Sequence, residues 1–232
     1  MKNSDTSSIL ILGSSSFLGE PLINVLKTQT NHKIIAQSRG YIHPEDLCKD
    51  QRIIEISIDY SDEKVDIDFF SQCSYIVNFV NAGRLSKEEL SDFRKFIGRI
   101  MSISKADLIH ISSANVVGSC KDKVITEESL CIPKNSYTHK FNDEIELIKI
   151  SEKNDCNYFI LRPTEIIGHH SLNARKLIKA RLYNSILQKY IDKSLYGKRP
   201  MHYVSSKYLI DSILEIIIGN VKTGLHIISQ DI

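Results

Sequence analysis

The stretch Gly13-Ser14-Ser15-Ser16-Phe17-Leu18-Gly19 carries a chemical signal of its own. It follows the short apolar run Ser8-Ile9-Leu10-Ile11-Leu12, and Phe17, Leu18, Leu22, Val25 and Leu26 then recur at helical spacing. A glycine-bearing turn between a strand and a helix is where free backbone N–H groups, helped by the helix dipole, bind a pyrophosphate. Gly13 permits the tight turn, and Gly19 lets the helix pack closely on the strand. Ser16 stands where a glycine ordinarily lets the backbone approach the phosphates, so the loop is one glycine short of the dinucleotide fingerprint. A serine-rich turn is also an ordinary helix cap, and the loop alone is open to both readings. The second strand, Lys33-Ile34-Ile35-Ala36-Gln37, leads into Ser38 and Arg39, with no acid before Glu45. An acid there suits the ribose hydroxyls of NAD and a basic group suits the 2′-phosphate of NADP, so this strand end favours NADP while leaving NAD possible.

Other reactive residues point to less. His169-His170 follows the sixth apolar run, but no further ligands stand at metal-binding spacing, so no metal is expected. A loop pair, or one histidine lining a substrate pocket, fits better. Ser113 lies in Ser112-Ser113-Ala114, which lacks the Gly-x-Ser-x-Gly elbow of a hydrolase nucleophile. The basic run at 175–181 reads as a solvated helix face, or as a contact for substrate phosphates. Five cysteines, Cys48, Cys73, Cys120, Cys131 and Cys156, form no Cys-x-x-Cys pair and suggest reduced, structural thiols. Thirty basic and 28 acidic residues give a net charge of +2 spread along the chain, which offers nothing to a nucleic acid. The polar N-terminus and the shortness of the first apolar run speak against a signal segment or a membrane span, so a cytoplasmic location is expected.

The elements that must position these residues alternate. Further strands are expected at 53–57, 75–80, 107–112 and 157–162, the last stopped by Pro163. Helices are expected at 85–103, with Phe93, Phe96, Ile97 and Ile100 on one face, and at 135–151. Strands alternating with helices predict an α/β fold with a doubly wound parallel sheet. After Pro163 the pattern changes to a basic amphipathic stretch at 172–193, a short strand at 202–204, a helix at 208–218 and a strand at 225–229. No linker divides the 232 residues, so one domain is expected, with 1–163 as the cofactor-binding core and 164–232 as a small substrate-side segment.

Taken in order, several segments resemble the extended short-chain dehydrogenase/reductase family, the NAD(P)-dependent epimerases and dehydratases acting on nucleotide sugars. The run from Ile9 to Gly19 is similar to that family's first strand and glycine loop. Asp59-Tyr60-Ser61-Asp62 resembles its third-strand acid, and Val80-Asn81-Ala82-Gly83 the segment passing under the cofactor. His110-Ile111-Ser112-Ser113-Ala114-Asn115-Val116-Val117-Gly118 resembles the fifth-strand motif, and Leu161-Arg162-Pro163-Thr164-Glu165-Ile166-Ile167-Gly168 the sixth. Residues 199–206 resemble a late segment whose arginine, here Arg199, holds the substrate diphosphate. The resemblance implies a Rossmann-type fold with Gly13, Ser15, Ser16, Phe17, Leu18, Arg39, Asp59, Asn81, Ala82, Gly83, Lys140 and Pro163 around the cofactor. It implies Ser113, Glu165 and Arg199 at the substrate, and Ser113, Tyr137 and Lys140 as the catalytic group. Tyr137 would move the hydroxyl proton, Lys140 would depress the tyrosine pKa and bind ribose, and Ser113 would hydrogen-bond the substrate oxygen. It also implies a possible homodimer through helices that here carry Phe93, Phe96 and Ile145.

The departures are specific. The family spaces its tyrosine four residues before the lysine, whereas Ser136-Tyr137-Thr138-His139-Lys140 places it three before, leaving Ser136 in the strict slot. One residue on a regular helix turns a side chain by about 100°. Positions three apart still share a face, and a distorted first turn would bring the phenol back. The late acidic pair reads Ser205-Ser206, and the sixth-strand asparagine is Glu165. Two functions fit this pattern. One is an NADP-dependent oxidoreductase or epimerase acting on a nucleotide sugar; the other is a dinucleotide-binding scaffold of the same fold that does no chemistry.

Overall fold

The computed structural model describes residues 7–39, 49–62, 64–118, 124–134, 137–168 and 202–230. Expectations for Arg199, His169-His170, Ser136, Glu45, Cys48, Cys120 and the basic stretch at 172–193 lie outside the described residues. The strands are β1 (Ser8–Leu12), β2 (Lys33–Ser38), β3 (Ile53–Ser57), β4 (Cys73–Asn78), β5 (Asp107–Ile111), β6 (Tyr158–Pro163), β7 (Glu165–Ile167), β8 (Tyr203–Ser205) and β9 (Gly224–Ile228). The helices are α1 (Gly19–Gln29), α2 (Lys87–Ser104), α3 (Thr138–Lys153) and α4 (Ser206–Ile217). Seven strands pair in parallel in the order β3-β2-β1-β4-β5-β6-β9, and β7 pairs with β8 apart from them.

Every residue of β1 is buried because helices cover both faces of the sheet. Successive strand side chains point to opposite faces. Ile9 and Ile11 pack with Leu22, Ile23 and Leu26 of α1 and with Leu209 and Ile213 of α4. Leu10 and Leu12 face Phe93, Phe96, Ile97 and Ile100 of α2. A continuous apolar run is what a strand covered on both sides requires, and the expected doubly wound parallel sheet is the one present.

The helix starts are set by local hydrogen bonds that hydrophobic spacing does not report. α2 begins at Lys87 because the Ser86 hydroxyl accepts the Glu89 N–H at 3.1 Å while the Glu89 carboxylate accepts the Ser86 N–H at 2.7 Å. Phe93 and Phe96 are 0% and 2% exposed, so they belong to the core and not to an outer, dimer-forming face; Ile145 is exposed. β9 is hydrogen-bonded into the sheet as its edge strand beside β6. One backbone N–H that β6 leaves free, that of Ile227, donates to the Glu127 carboxylate at 2.9 Å. This bond holds the Glu127 carboxyl below its usual range. Among the described residues no helix is long and apolar enough to cross a membrane, and no cluster of three or more His, Cys, Asp or Glu side chains could hold a metal ion.

Candidate active site

β1 lies between β2 and β4, so the chain leaves β1 toward one side of the sheet and later returns on the other. Such a reversal opens a crevice outside the carboxyl ends of the strands. Two adjoining cavities of about 330 and 380 Å³ lie there. The first is lined by Gly13, Ser15, Gln37, Ser38, Arg39 and Tyr60. The second is lined by Phe17, Leu18, Ser112, Ser113, Asn115, Tyr137, Lys140, Pro163, Thr164 and Glu165. Ser16, Phe79, Val80, Asn81 and Arg84 border both. A larger recess of about 920 Å³ at the other end of the strands takes in none of the motif residues. Its Arg52 is engaged by Asp50 and the carbonyls of Lys27 and Thr30.

The loop after β1 is tied down from several sides. Gly13 has φ +74°, and a Cβ on Gly19 would overlap the Ser14 carbonyl, so both positions call for glycine. The Ser14 N–H and hydroxyl both donate to the Gln37 carbonyl at 2.9 Å. Ser16 N–H donates to Gly13 and Gly19 N–H to Ser16, each at 2.9 Å, which folds the turn. The N–H groups of Phe17 and Leu18 have no partner among the described residues. The Ser16 hydroxyl is buried and has no partner.

Gln37, which sequence reasoning did not single out, organises the first cavity. Its side-chain carbonyl accepts the Tyr60 hydroxyl at 2.8 Å and the Gly13 N–H at 3.3 Å. Burial pushes the Tyr60 phenol up to about 12, and its ring meets Phe93 edge-on at 4.9 Å. A polar residue closing the apolar run Ile34-Ile35-Ala36 was the available signal. Arg39 is exposed and lies 3.7 Å from Glu89, the carboxylate that caps α2. Asp59 is turned into its own loop, accepting the Ser61 N–H at 3.0 Å and hydroxyl at 2.8 Å, which hold its carboxyl below the usual range. It borders a separate recess with Glu88, Glu89 and Asp92, and neither of the two cavities. Asn81 caps the next turn by accepting the Gly83 N–H at 3.1 Å. Ala82 is buried and Gly83 lies against the His139 imidazole, so of these three Asn81 alone lines the cavities.

The second cavity gathers the groups suited to proton chemistry. Tyr137 is the N-cap residue of α3, with φ −113° and ψ −6°, and the regular helix begins one residue later. Its hydroxyl accepts the Asn115 side-chain amide at 3.2 Å. Lys140 donates to the Ser112 carbonyl at 3.4 Å. Burial lowers the Lys140 pKa, and the carboxylates of Glu144 and Asp143 pull it back up. Ser113 caps the short turn Ala114–Val117 by accepting the Asn115 N–H at 3.3 Å. The Ser112 hydroxyl is buried without a partner.

Beneath this floor lies a layer of buried charge absent from the sequence-based expectations. Glu144 pairs with Arg162 at 3.2 and 2.7 Å, both side chains 2% exposed. Asp143 pairs with Arg94 at 3.0 and 2.9 Å. The Asn78 amide takes the Val80 N–H on its oxygen and turns its NH₂ toward His110 Nδ1 at 3.0 Å. Nδ1 is therefore an acceptor, and the ring proton sits on Nε2, facing Asp143 at 3.8 Å. Burial lowers the His110 pKa and keeps the ring neutral. His110 and Arg162 inside otherwise apolar strands were the signal for this layer.

The sheet and the helices on its two faces define an α/β protein of the Rossmann type, with an open crevice at the switch point between β1 and β4. The NAD dependent epimerase/dehydratase family model matches residues 9–206, and the chain belongs to that family. It is similar to UDP-glucuronic acid 4-epimerase from Bacillus cereus in complex with NAD, with a TM-score of 0.71 at 16% identity, over 97% of this chain and 79% of that one. It is similar to UDP-N-acetylglucosamine 4-epimerase from Methanobrevibacter ruminantium M1 in complex with UDP-N-acetylmuramic acid (TM-score 0.70, 14% identity, 97% and 77% covered). The terminal R domain from the myxalamid PKS-NRPS biosynthetic pathway is similar too, with a TM-score of 0.70 at 16% identity, over 96% and 66% of the two chains. At these identities the likeness is one of fold. No curated protein matches the sequence.

Proposed function

We propose that the protein is an NADP-dependent oxidoreductase or epimerase acting on a nucleotide-activated sugar. The observation that carries this reading is the meeting of Ser113, Tyr137 and Lys140 in one cavity that adjoins the glycine loop across Ser16 and Asn81. The residues present fit a dinucleotide. The free N–H groups of Phe17 and Leu18 and the unpartnered hydroxyls of Ser16 and Ser112 are polar atoms that a bound nucleotide would satisfy. At the end of β2 a neutral Gln37 stands beside Arg39, so no carboxylate on that strand end opposes a 2′-phosphate. When bound, the cofactor supplies a nicotinamide that accepts or donates hydride. The chain does the rest. Tyr137 moves the proton of the sugar hydroxyl, Lys140 holds ribose and favours the phenolate, and Ser113 donates a hydrogen bond to the substrate oxygen. In this reading Glu165 stands at the cavity wall and Arg199 meets a substrate phosphate, while α4 and β9, expected with the substrate side, belong to the sheet and its covering layer.

Titration with NADPH and NADH tests the first half, and turnover of a panel of UDP-sugars the second. Tyr137→Phe is expected to lower turnover by about 10²–10⁴-fold while leaving NADPH affinity unchanged. Full turnover in that variant would end the role given to Tyr137. A second reading, a cofactor-binding scaffold, is favoured by the three-residue spacing from Tyr137 to Lys140. Tight NADPH binding with no turnover of any sugar nucleotide would select it.

A further inference from the structure

We infer that Asn115 is a positioning residue for Tyr137, its side-chain amide holding the phenol oxygen so that the displaced tyrosine still serves in proton transfer. This rests on the reading above that Tyr137 carries the proton. A tyrosine three residues before the lysine needs a local reason to face the cavity, because one residue of helix turns a side chain by about 100°. Two features supply that reason. Tyr137 precedes the regular turns of α3, at φ −113° and ψ −6°, so the helical register does not fix its direction. Asn115, 22 residues earlier in the chain, donates its amide N–H to the Tyr137 hydroxyl oxygen at 3.2 Å. Among the described residues the phenol makes this bond and no other, and both side chains line the second cavity.

The turn that carries Asn115 is itself braced. The Ser113 hydroxyl accepts the Asn115 N–H at 3.3 Å, and the Val116 N–H donates to the Ser113 carbonyl at 3.1 Å. The Gly118 N–H donates to the Asn115 carbonyl at 3.1 Å, and Val116 and Val117 are buried in the core. The Ser112 carbonyl just before this turn accepts Lys140, so one short stretch after β5 grips both Tyr137 and Lys140. An amide N–H on the phenol oxygen takes up one lone pair and leaves the phenol O–H free for a substrate hydroxyl. It also bonds the ionised oxygen about twice as strongly as the neutral one. An amide does not titrate, so Asn115 acts on the reaction through Tyr137 alone. Its side chain is exposed to the cavity, and replacing it removes no core packing.

The test follows the Tyr137 phenol directly in the full chain. With tyrosines labelled with carbon-13 at Cζ, the Tyr137 resonance is the one missing in Tyr137→Phe. Its ionisation is followed by NMR over the pH range in which circular dichroism shows the chain folded. Asn115→Ala is expected to move the midpoint upward by about half a pH unit, the gap between a hydrogen bond to a charged oxygen and one to a neutral oxygen. Asn115→Asp keeps the shape but puts an anion where the donor was, and is expected to move it upward by about one unit or more. A shift below about 0.2 unit in Asn115→Ala, or an Asn115→Asp shift no larger than that of Asn115→Ala, would overturn the inference. Turnover of the UDP-sugar panel gives an independent arm. Asn115→Ala is expected to lower kcat about tenfold with KM unchanged, and to cost nothing further in the Tyr137→Phe background. A loss that falls on KM, or that persists in full without the phenol, would make Asn115 a substrate contact and overturn its positioning role. A parent that turns over no sugar nucleotide would remove the proposed function instead, and the titration alone then decides whether Asn115 holds the phenol. Unchanged melting midpoints in the variants keep folding out of the comparison.

Discussion

Gln37 and Tyr60 show how one buried hydrogen bond links the cavity beside the glycine loop to the stability of the chain. The phenol titrates near 10.0 when free and is pushed up to about 12 by burial. The folded chain therefore keeps a proton that the unfolded chain has lost, so the stability this adds is complete below pH 10 and disappears as pH rises through 12. Two units correspond to about 3 kcal/mol at most. Cys73 behaves alike over an earlier window, since burial moves its thiol from 9.0 to about 11. Urea unfolding is expected to show stability falling from pH 9 upward, with Tyr60→Phe removing the part of the fall above pH 10. The same variant loses about 1 kcal/mol at pH 8, the worth of the bond to Gln37. An alkaline limb identical in parent and variant would refute the assignment. Gly13, Ser16, Ser113, Tyr137 and Lys140 were legible in the sequence because each stands in a recognisable run. Gln37 and Arg84 were not. Their importance comes from which strand ends lie side by side, such as the pairing of Leu12 with Gln37, and pairing is not a local property.

Among elements, the strand-to-helix unit β1–α1 has the least slack. A methyl group on Gly19 would meet the Ser14 carbonyl, so Gly19→Ala must push α1 away from the sheet or distort the turn. Overpacking of this kind costs about 1–3 kcal/mol. The displacement would also move the Phe17 and Leu18 N–H groups, so weaker NADPH binding is expected alongside a lower urea midpoint. A drop in stability with unchanged affinity would separate the turn from the binding site. The strands were readable because burial on both faces demands unbroken apolar runs, and β1 and β3 have the expected limits. The helix starts were less readable. α2 and α3 begin two or three residues later than hydrophobic spacing suggests, where Ser86 caps one and Tyr137 precedes the other. α3 is the harder case, since its buried face carries Asp143 and Glu144, and a charged inner face imitates an outer one.

For the molecule as a whole, cofactor binding and folding are one equilibrium. A ligand that binds only the folded chain adds about 2.7 kcal/mol at a hundred times its Kd. In a chain of this size each kcal/mol moves the melting midpoint by about 2–4 °C, so saturating NADPH is expected to raise it by about 5–10 °C. NADH at the same concentration is expected to raise it less, because it lacks the phosphate that Arg39 would meet. Equal shifts would remove the preference for NADP. The seven-stranded row ends at β9, and the free N–H of Ile227 is already filled by the Glu127 carboxylate of the same chain. A stranger's strand docking there would have to evict an anion and then lie beside it. Glu127 acts as a stopper at this point of the edge, where a neighbour's strand would find its place in the weave already taken.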